Sequence, residues 1–187
     1  MLFSSAGTSP AFSACDDEAQ PQVNWANCDL SGKDFSNSDL SNAILTNAVL
    51  DNTDFSDAVL ENADLNFASL KNARFGGARM SNSKLVSVKA EAASFKNAIL
   101  HKSRFSRADL KNADFTGVRA DNANFYDADL ESAIFIGARL NKANLERSEL
   151  KRANFNESIM KESVIRSSKL HDTSFIKSDL TRAVFDG

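Results

Sequence analysis

Ala108-Asp109-Leu110-Lys111-Asn112-Ala113-Asp114-Phe115-Thr116-Gly117 holds two copies of one five-residue phrase. Each copy runs small residue, acid, large apolar residue, then two residues suited to a turn. Followed outward in both directions, the phrase keeps its register. Every fifth residue from Trp25 to Phe185 gives 33 positions, and 31 of them are Leu, Phe, Met, Ile or Trp. These large residues are termed anchors below. The residue two before an anchor is Ala 18 times, Ser eight times and Thr twice. One column of anchors is wholly aromatic: Phe35, Phe55, Phe75, Phe95, Phe115, Phe135, Phe155 and Phe175 stand twenty apart. A spacing of five fits neither the helical nor the strand period. A unit with only two inward side chains cannot bury itself, so units must wind into coils and stack. The twenty-residue aromatic column sets four units per coil.

Units such as Ala63-Asp64-Leu65-Asn66-Phe67, together with the two quoted above, resemble the A(D/N)(L/F)XX motif of the pentapeptide-repeat family. The resemblance covers residues 23–187. It implies an all-β fold, a right-handed quadrilateral β-helix with one unit on each side and about eight four-sided coils. Equivalent side chains one coil apart then lie about 4.8 Å from each other, in a rod on the order of 40 Å long. The interior has three further columns: Leu40 to Leu180 with two methionines, Leu30 to Leu170, and a mixed column from Trp25 to Phe185. Ala90 and Ala120 replace large anchors, and Val88 and Val118 replace the small partners, so volume is conserved. Asn42, Asn62 and Asn82 at one corner, and Asn52, Asn72 and Asn112 at another, are read as amides stacked along the axis.

The 187 residues carry a net charge of −3 and suit one soluble domain with no apolar run able to cross a membrane. The charge is unevenly placed. Residues 1–65 hold eleven acids and one base, Lys33; residues 66–187 hold 21 bases and 14 acids. Two parts are expected: residues 1–22, a leader or N-terminal cap, and residues 23–187, the β-helix. Residues 1–14 end like the cleavage region of an export signal but lack a basic start and a long apolar core. Export to a periplasm or lumen is the expected location, with the cytoplasm as the alternative. Cys15 and Cys28 are the only cysteines, and three readings stand for them. They form a disulfide stapling the leader to the first coil; or Cys28 is a buried thiol in an inward slot; or Phe12-Ser13-Ala14-Cys15 is a lipid-attachment box with Phe in place of Leu.

No catalytic constellation is expected, and no cofactor or metal. His101 and His171 lie just after anchors, on different sides, with no evident orienting partner. No zinc spacing and no glycine-rich phosphate loop is present. Carboxylates such as Asp34 and Asp54 stack as a consequence of the repeat. A basic sector from Arg79 onward is diluted by acids and has, apart from Phe67, Tyr126 as its one exposed ring, so nucleic-acid binding is not expected. Ile134, Ile136 and Ile176 form a candidate partner patch on the phenylalanine side. Only Asp186 and Gly187 follow Phe185, so the last coil is expected to fray or to pack on a second copy end to end. The expected function is a non-enzymatic structural or protein-interaction rod. The resemblance supplies an alternative, because some pentapeptide-repeat proteins shield DNA gyrase from quinolones by mimicking DNA. This chain departs from that pattern in its basic C-terminal part, and it lacks the dimerising C-terminal helix and any long loop.

Overall fold

A computed structural model describes residues 15–186. The leader reading of residues 1–14 lies outside the described residues. From Val23 onward the chain is a right-handed quadrilateral β-helix of about eight coils. Twenty-nine parallel bridges join the residue before each anchor to its counterpart twenty residues on, from Asn24↔Ile44 to Val164↔Val184. From Trp25 to Ile165 each anchor N–H donates to the following coil, as Phe95 does to the Asp114 carbonyl at 2.7 Å. The residue before it donates to the preceding coil, as Ile44 does to Val23 at 2.9 Å. The ladder therefore runs both ways between neighbouring coils.

Nearly every corner is a four-residue turn closed by a bond such as Ala43 N–H to Leu40 C=O, 3.0 Å, the exceptions being those ending at Val88 and Ser168. Its third residue takes positive φ, the mark of a type II turn. Among the 29 non-glycine residues in that conformation, eleven are Asn. Asn is recurrent at corners because its short polar side chain tolerates the left-handed backbone. The stacked-amide expectation is corrected accordingly. Of the six corner asparagines named above, only Asn72 Nδ2 and Asn52 Oδ1 are joined, at 3.4 Å. At Gly117 (φ +67°) a Cβ would stand 2.4 Å from Asn97 Oδ1, so a side chain there would oblige Asn97 to move.

The interior is a filled column of rings and branched chains. From Phe55 to Phe175 successive rings of the aromatic column lie 4.6–5.2 Å apart and within 8° of parallel. Phe105 and Phe125, from the mixed column, meet these rings edge-on at 5.6–6.0 Å. Both stacked and edge-to-face geometries are favourable for aromatic quadrupoles. Phe55 to Phe155 are buried, whereas Phe35 and Phe175, in the first and last coils, are half-buried. Val88, Ala90, Val118 and Ala120 are all buried, as the exchange of large and small residues requires. Several hydroxyls that replace Ala in the small slot find a carbonyl, as Ser103 Oγ donates to Leu100 O at 2.7 Å and Thr53 Oγ1 to Leu30 O at 3.1 Å, whereas Ser158 Oγ and Ser163 Oγ are buried without a partner.

At the N-terminal end, Cys15 and Cys28 are joined by a disulfide. Lys33 occupies a small inward slot but is exposed, because among the described residues no complete coil lies beneath the first. The ring of Trp25 reaches across to Phe35, 4.8 Å away. At the other end Leu170, Phe175 and Leu180 are half-buried and Phe185 is 43% exposed. No helix among the described residues is long and apolar enough to cross a membrane.

Candidate partner-binding surface

Each side of the rod turns three side chains outward, one before the anchor and two after it, the second of these at the corner. Stacking places residues twenty apart one above the other, so opposite charges in register become ion pairs. Arg74 meets Asp54 at 2.7 Å, Lys84 meets Asp64 at 3.1 Å and Arg166 meets Asp186 at 3.3 Å. Asp34 and Asp54 are neighbours in one ladder, and Arg74 follows them in the third coil. Their stacking is thus compensated by structure and leaves no shared site. Exposed pairs of this kind each contribute little, below about 1 kcal/mol.

The acid before an anchor acts on its own turn. Asp39 Oδ1 accepts from the Ser41 hydroxyl at 2.6 Å and from the Ser41 N–H at 3.0 Å. The hydroxyl, then the N–H, hold Asp39 below the ordinary carboxylate range. Asp179 is pulled down to about 2 by the Thr181 hydroxyl, the Thr181 N–H and Lys161, in that order. A carboxylate with a depressed folded pKa contributes stability that is complete above its unfolded pKa and is lost as pH falls through the folded value. Thermal stability is therefore expected to stay level from neutral pH to about 5 and to fall between about 4 and 2. Circular dichroism melts across that range check it, and Asp179→Asn should blunt the fall.

The sequence-expected patch is less continuous than its spacing suggests. Ile136 and Ile176 are 37% and 64% exposed, and Ile134 is half-buried. Asn156 occupies the coil between them, its Oδ1 accepting from Ile176 N–H at 2.8 Å and Ser174 Oγ at 2.6 Å. The expectation that neither histidine has a partner is corrected. His101 Nδ1 lies 3.8 Å from Asp121 Oδ2, and His171 Nε2 lies 3.2 Å from Asp172. Asp121 also accepts from Arg139 and from the Asn141 amide, so its attention is divided. Among the described residues no group of three His, Cys, Asp or Glu is placed to hold a metal ion.

Comparison with known proteins agrees with this geometry. The family described as "Pentapeptide repeat region" matches residues 21–95 and 88–165, and "Pentapeptide repeats (8 copies)" matches residues 148–187. The chain belongs to the pentapeptide-repeat family. Among solved structures, it is similar to HetL, a pentapeptide-repeat protein involved in heterocyst differentiation regulation from the cyanobacterium Nostoc sp. strain PCC 7120. The TM-score is 0.60 at 21% identity, over 88% of this chain and 85% of that one. It is also similar to a trypsin-treated form of QnrB1, a plasmid-mediated fluoroquinolone resistance protein, with TM-score 0.54 at 19% identity over 91% and 84% of the two chains. At these identities the likeness concerns the fold alone. No curated protein matches the sequence.

One surface feature of this pentapeptide-repeat rod takes its meaning from the backbone. Phe67 sits at a corner with φ +63° and is 59% exposed. The two preceding coils place Asn27 and Asn47 at that corner. A bulky residue in the left-handed region is strained, and such strain points towards function more often than towards stability. Beside this corner Ile44 and Val49 are 42% and 37% exposed. The signal was present in the sequence as a break in the corner asparagine column. Phe67→Asn is expected to raise stability by about 0.5–1 kcal/mol, by relieving the backbone and removing an exposed ring. Thermal melts of the two proteins would decide it; a lower midpoint for Asn would show that Phe67 is held by packing.

Proposed function

We propose that this chain is a non-catalytic protein-interaction rod, read by a partner protein along its outer faces. The observation that carries the proposal is the filled interior. Rings and aliphatic chains occupy the axis from Trp25 to Ile165, so every group able to meet a ligand lies on a side or at an end. Regular repeat faces of this kind are suited to extended binding surfaces. Ile134, Ile136 and Ile176 contribute to one such face. The half-buried Leu170, Phe175 and Leu180, with exposed Phe185, suit a second copy packed end to end on the last described coil. Sedimentation of the wild type and Phe185→Glu tests that contact. A dimer lost in the variant supports it, and a monomer at all concentrations removes it.

The Cys15–Cys28 bond favours an oxidising compartment, a periplasm or lumen, over the cytoplasm. The intact mass of the protein from its own host tests this. Two free thiols on the full-length chain would return it to the cytoplasm.

One observation favours a second reading, a DNA-mimicking gyrase binder. The first two coils and the segment before them carry nearly all the unbalanced acid, including Asp51, Asp54 and Asp57. The basic C-terminal part opposes this. A gyrase-protection assay separates the two: protection abolished by charge reversal at these three residues supports mimicry, and no protection removes it.

A further inference from the structure

One corner of the rod differs from the rest of the surface. Among the described residues, thirteen of the 22 Lys and Arg side chains pair with a carboxylate. Of the nine that pair with none, Arg104, Arg107 and Arg147 gather in a single surface groove of about 480 Å³, lined also by Val86, Tyr126 and Asp127. Register stacks these residues along the axis. Val86 is in the fourth coil, Arg104 and Arg107 in the fifth, Tyr126 in the sixth and Arg147 in the seventh. The Arg147 guanidinium carbon lies 5.9 Å from the centroid of the Tyr126 ring, the chain's only tyrosine. One coil before Val86 stands exposed, strained Phe67, whose N–H donates to the Val86 carbonyl at 3.0 Å. The corner thus runs from an apolar end, Ile44, Val49 and Phe67, to an arginine–tyrosine end.

Three guanidinium groups without carboxylates, spread over about 10 Å of axis, match the spacing and planar geometry of two or three carboxylates. Tyr, Phe and Arg are also the residues that most often anchor protein interfaces. We propose that this groove binds an acidic, extended segment of a partner protein, with an aromatic or aliphatic side chain of that segment seated against Phe67. The proposal rests on the interaction-rod reading and adds the surface and the chemistry of the partner. A nucleic-acid strand fits less well. Asp127 lies within the groove, Glu146 adjoins it, and Tyr126 is its only ring, whereas strand binders pair a continuous basic track with several stacking rings.

The test is fluorescence anisotropy with a dye-labelled peptide of alternating Glu and Phe, beside a Lys–Phe peptide of equal length and an oligo-dT strand. Wild type is expected to bind the Glu–Phe peptide saturably, more weakly as salt rises, and to ignore the other two probes. Arg107→Glu and Tyr126→Ala should each weaken binding by about tenfold or more. Lys96→Gln, on the phenylalanine side, should leave it unchanged. All variants are compared at equal β-helix content by circular dichroism, and Arg147→Gln serves if Arg107→Glu does not fold. Peptide binding that is absent, or indifferent to the groove substitutions, overturns the assignment. Loss through Lys96→Gln alone also overturns it but leaves the interaction-rod reading standing. Preference for oligo-dT, sensitive to Arg107→Glu, overturns the protein-segment chemistry and the interaction-rod reading together. A concentration-dependent dimer abolished by Arg107→Glu would give the groove to the acidic half of a second copy, and would likewise overturn it.

Discussion

Phe115→Ala lowers the thermal midpoint by roughly 10 °C, and Phe175→Ala lowers it by less than half as much. Removing a buried phenylalanine costs about 3–5 kcal/mol, and in a chain of this size each kcal/mol moves the midpoint by about 2–4 °C. Phe115 is wholly buried. It stacks on Phe95 at 4.8 Å and Phe135 at 4.6 Å, and meets Phe105 and Phe125 edge-on. No neighbour can collapse into the gap, because each is tied to its own coil by ladder bonds on both sides. Phe175 stacks on Phe155 alone in the aromatic column and is half-buried. Circular dichroism melts of the two variants make the comparison. Equal losses would mean that position in the stack has no bearing on stability, contrary to the ladder.

Breaking the Cys15–Cys28 bond, by reduction or by replacing both cysteines with serine, frees the N-terminal coils and leaves the middle of the rod untouched. The bond spans a separation of 13 residues. Closing a loop of that size restricts the unfolded chain by about 3 kcal/mol in the chain-entropy view. In a solenoid each coil contacts only its neighbours, so the loss is local. Ladder amides of the first two coils, such as Trp25 and Leu45, are expected to exchange hydrogen faster by about two orders of magnitude. Those of Phe105, Phe115 and Phe125 should hold their rates. A uniform acceleration along the chain would show that the rod unfolds as one cooperative unit.

The interior was legible because its rule is written in residue number. A large side chain every five residues and a ring every twenty leave one way to stack, and no backbone detail is needed to see it. The corners were legible only in part. The recurrent Asn suggested amide ladders, but its role is to permit positive φ, a property of the backbone that sequence does not display. Phe67 gained meaning only once that conformation was known. Ion pairs twenty residues apart, such as Arg74 with Asp54, follow from register alone. The His101–Asp121 approach follows from the same register and was open to the sequence. Arg79 with Glu61, eighteen apart, depends on side-chain reach across a corner and was not. The groove arginines illustrate the same limit. Their positions can be counted from the repeat, but that they lack carboxylate partners emerges only when every neighbouring acid has been placed.

The measurement closest to the central claim is photo-cross-linking in the host, with a benzophenone amino acid placed on one side at a time. Ser106, Lys71, Ile176 and Lys161 each represent a different side of the rod. An interaction rod gives adducts to a second protein from one or two adjacent sides, with Ser106, beside the arginine groove, foremost. Adducts of equal weak intensity from all four sides, or none from any, would contradict a rod whose faces are read by a protein partner.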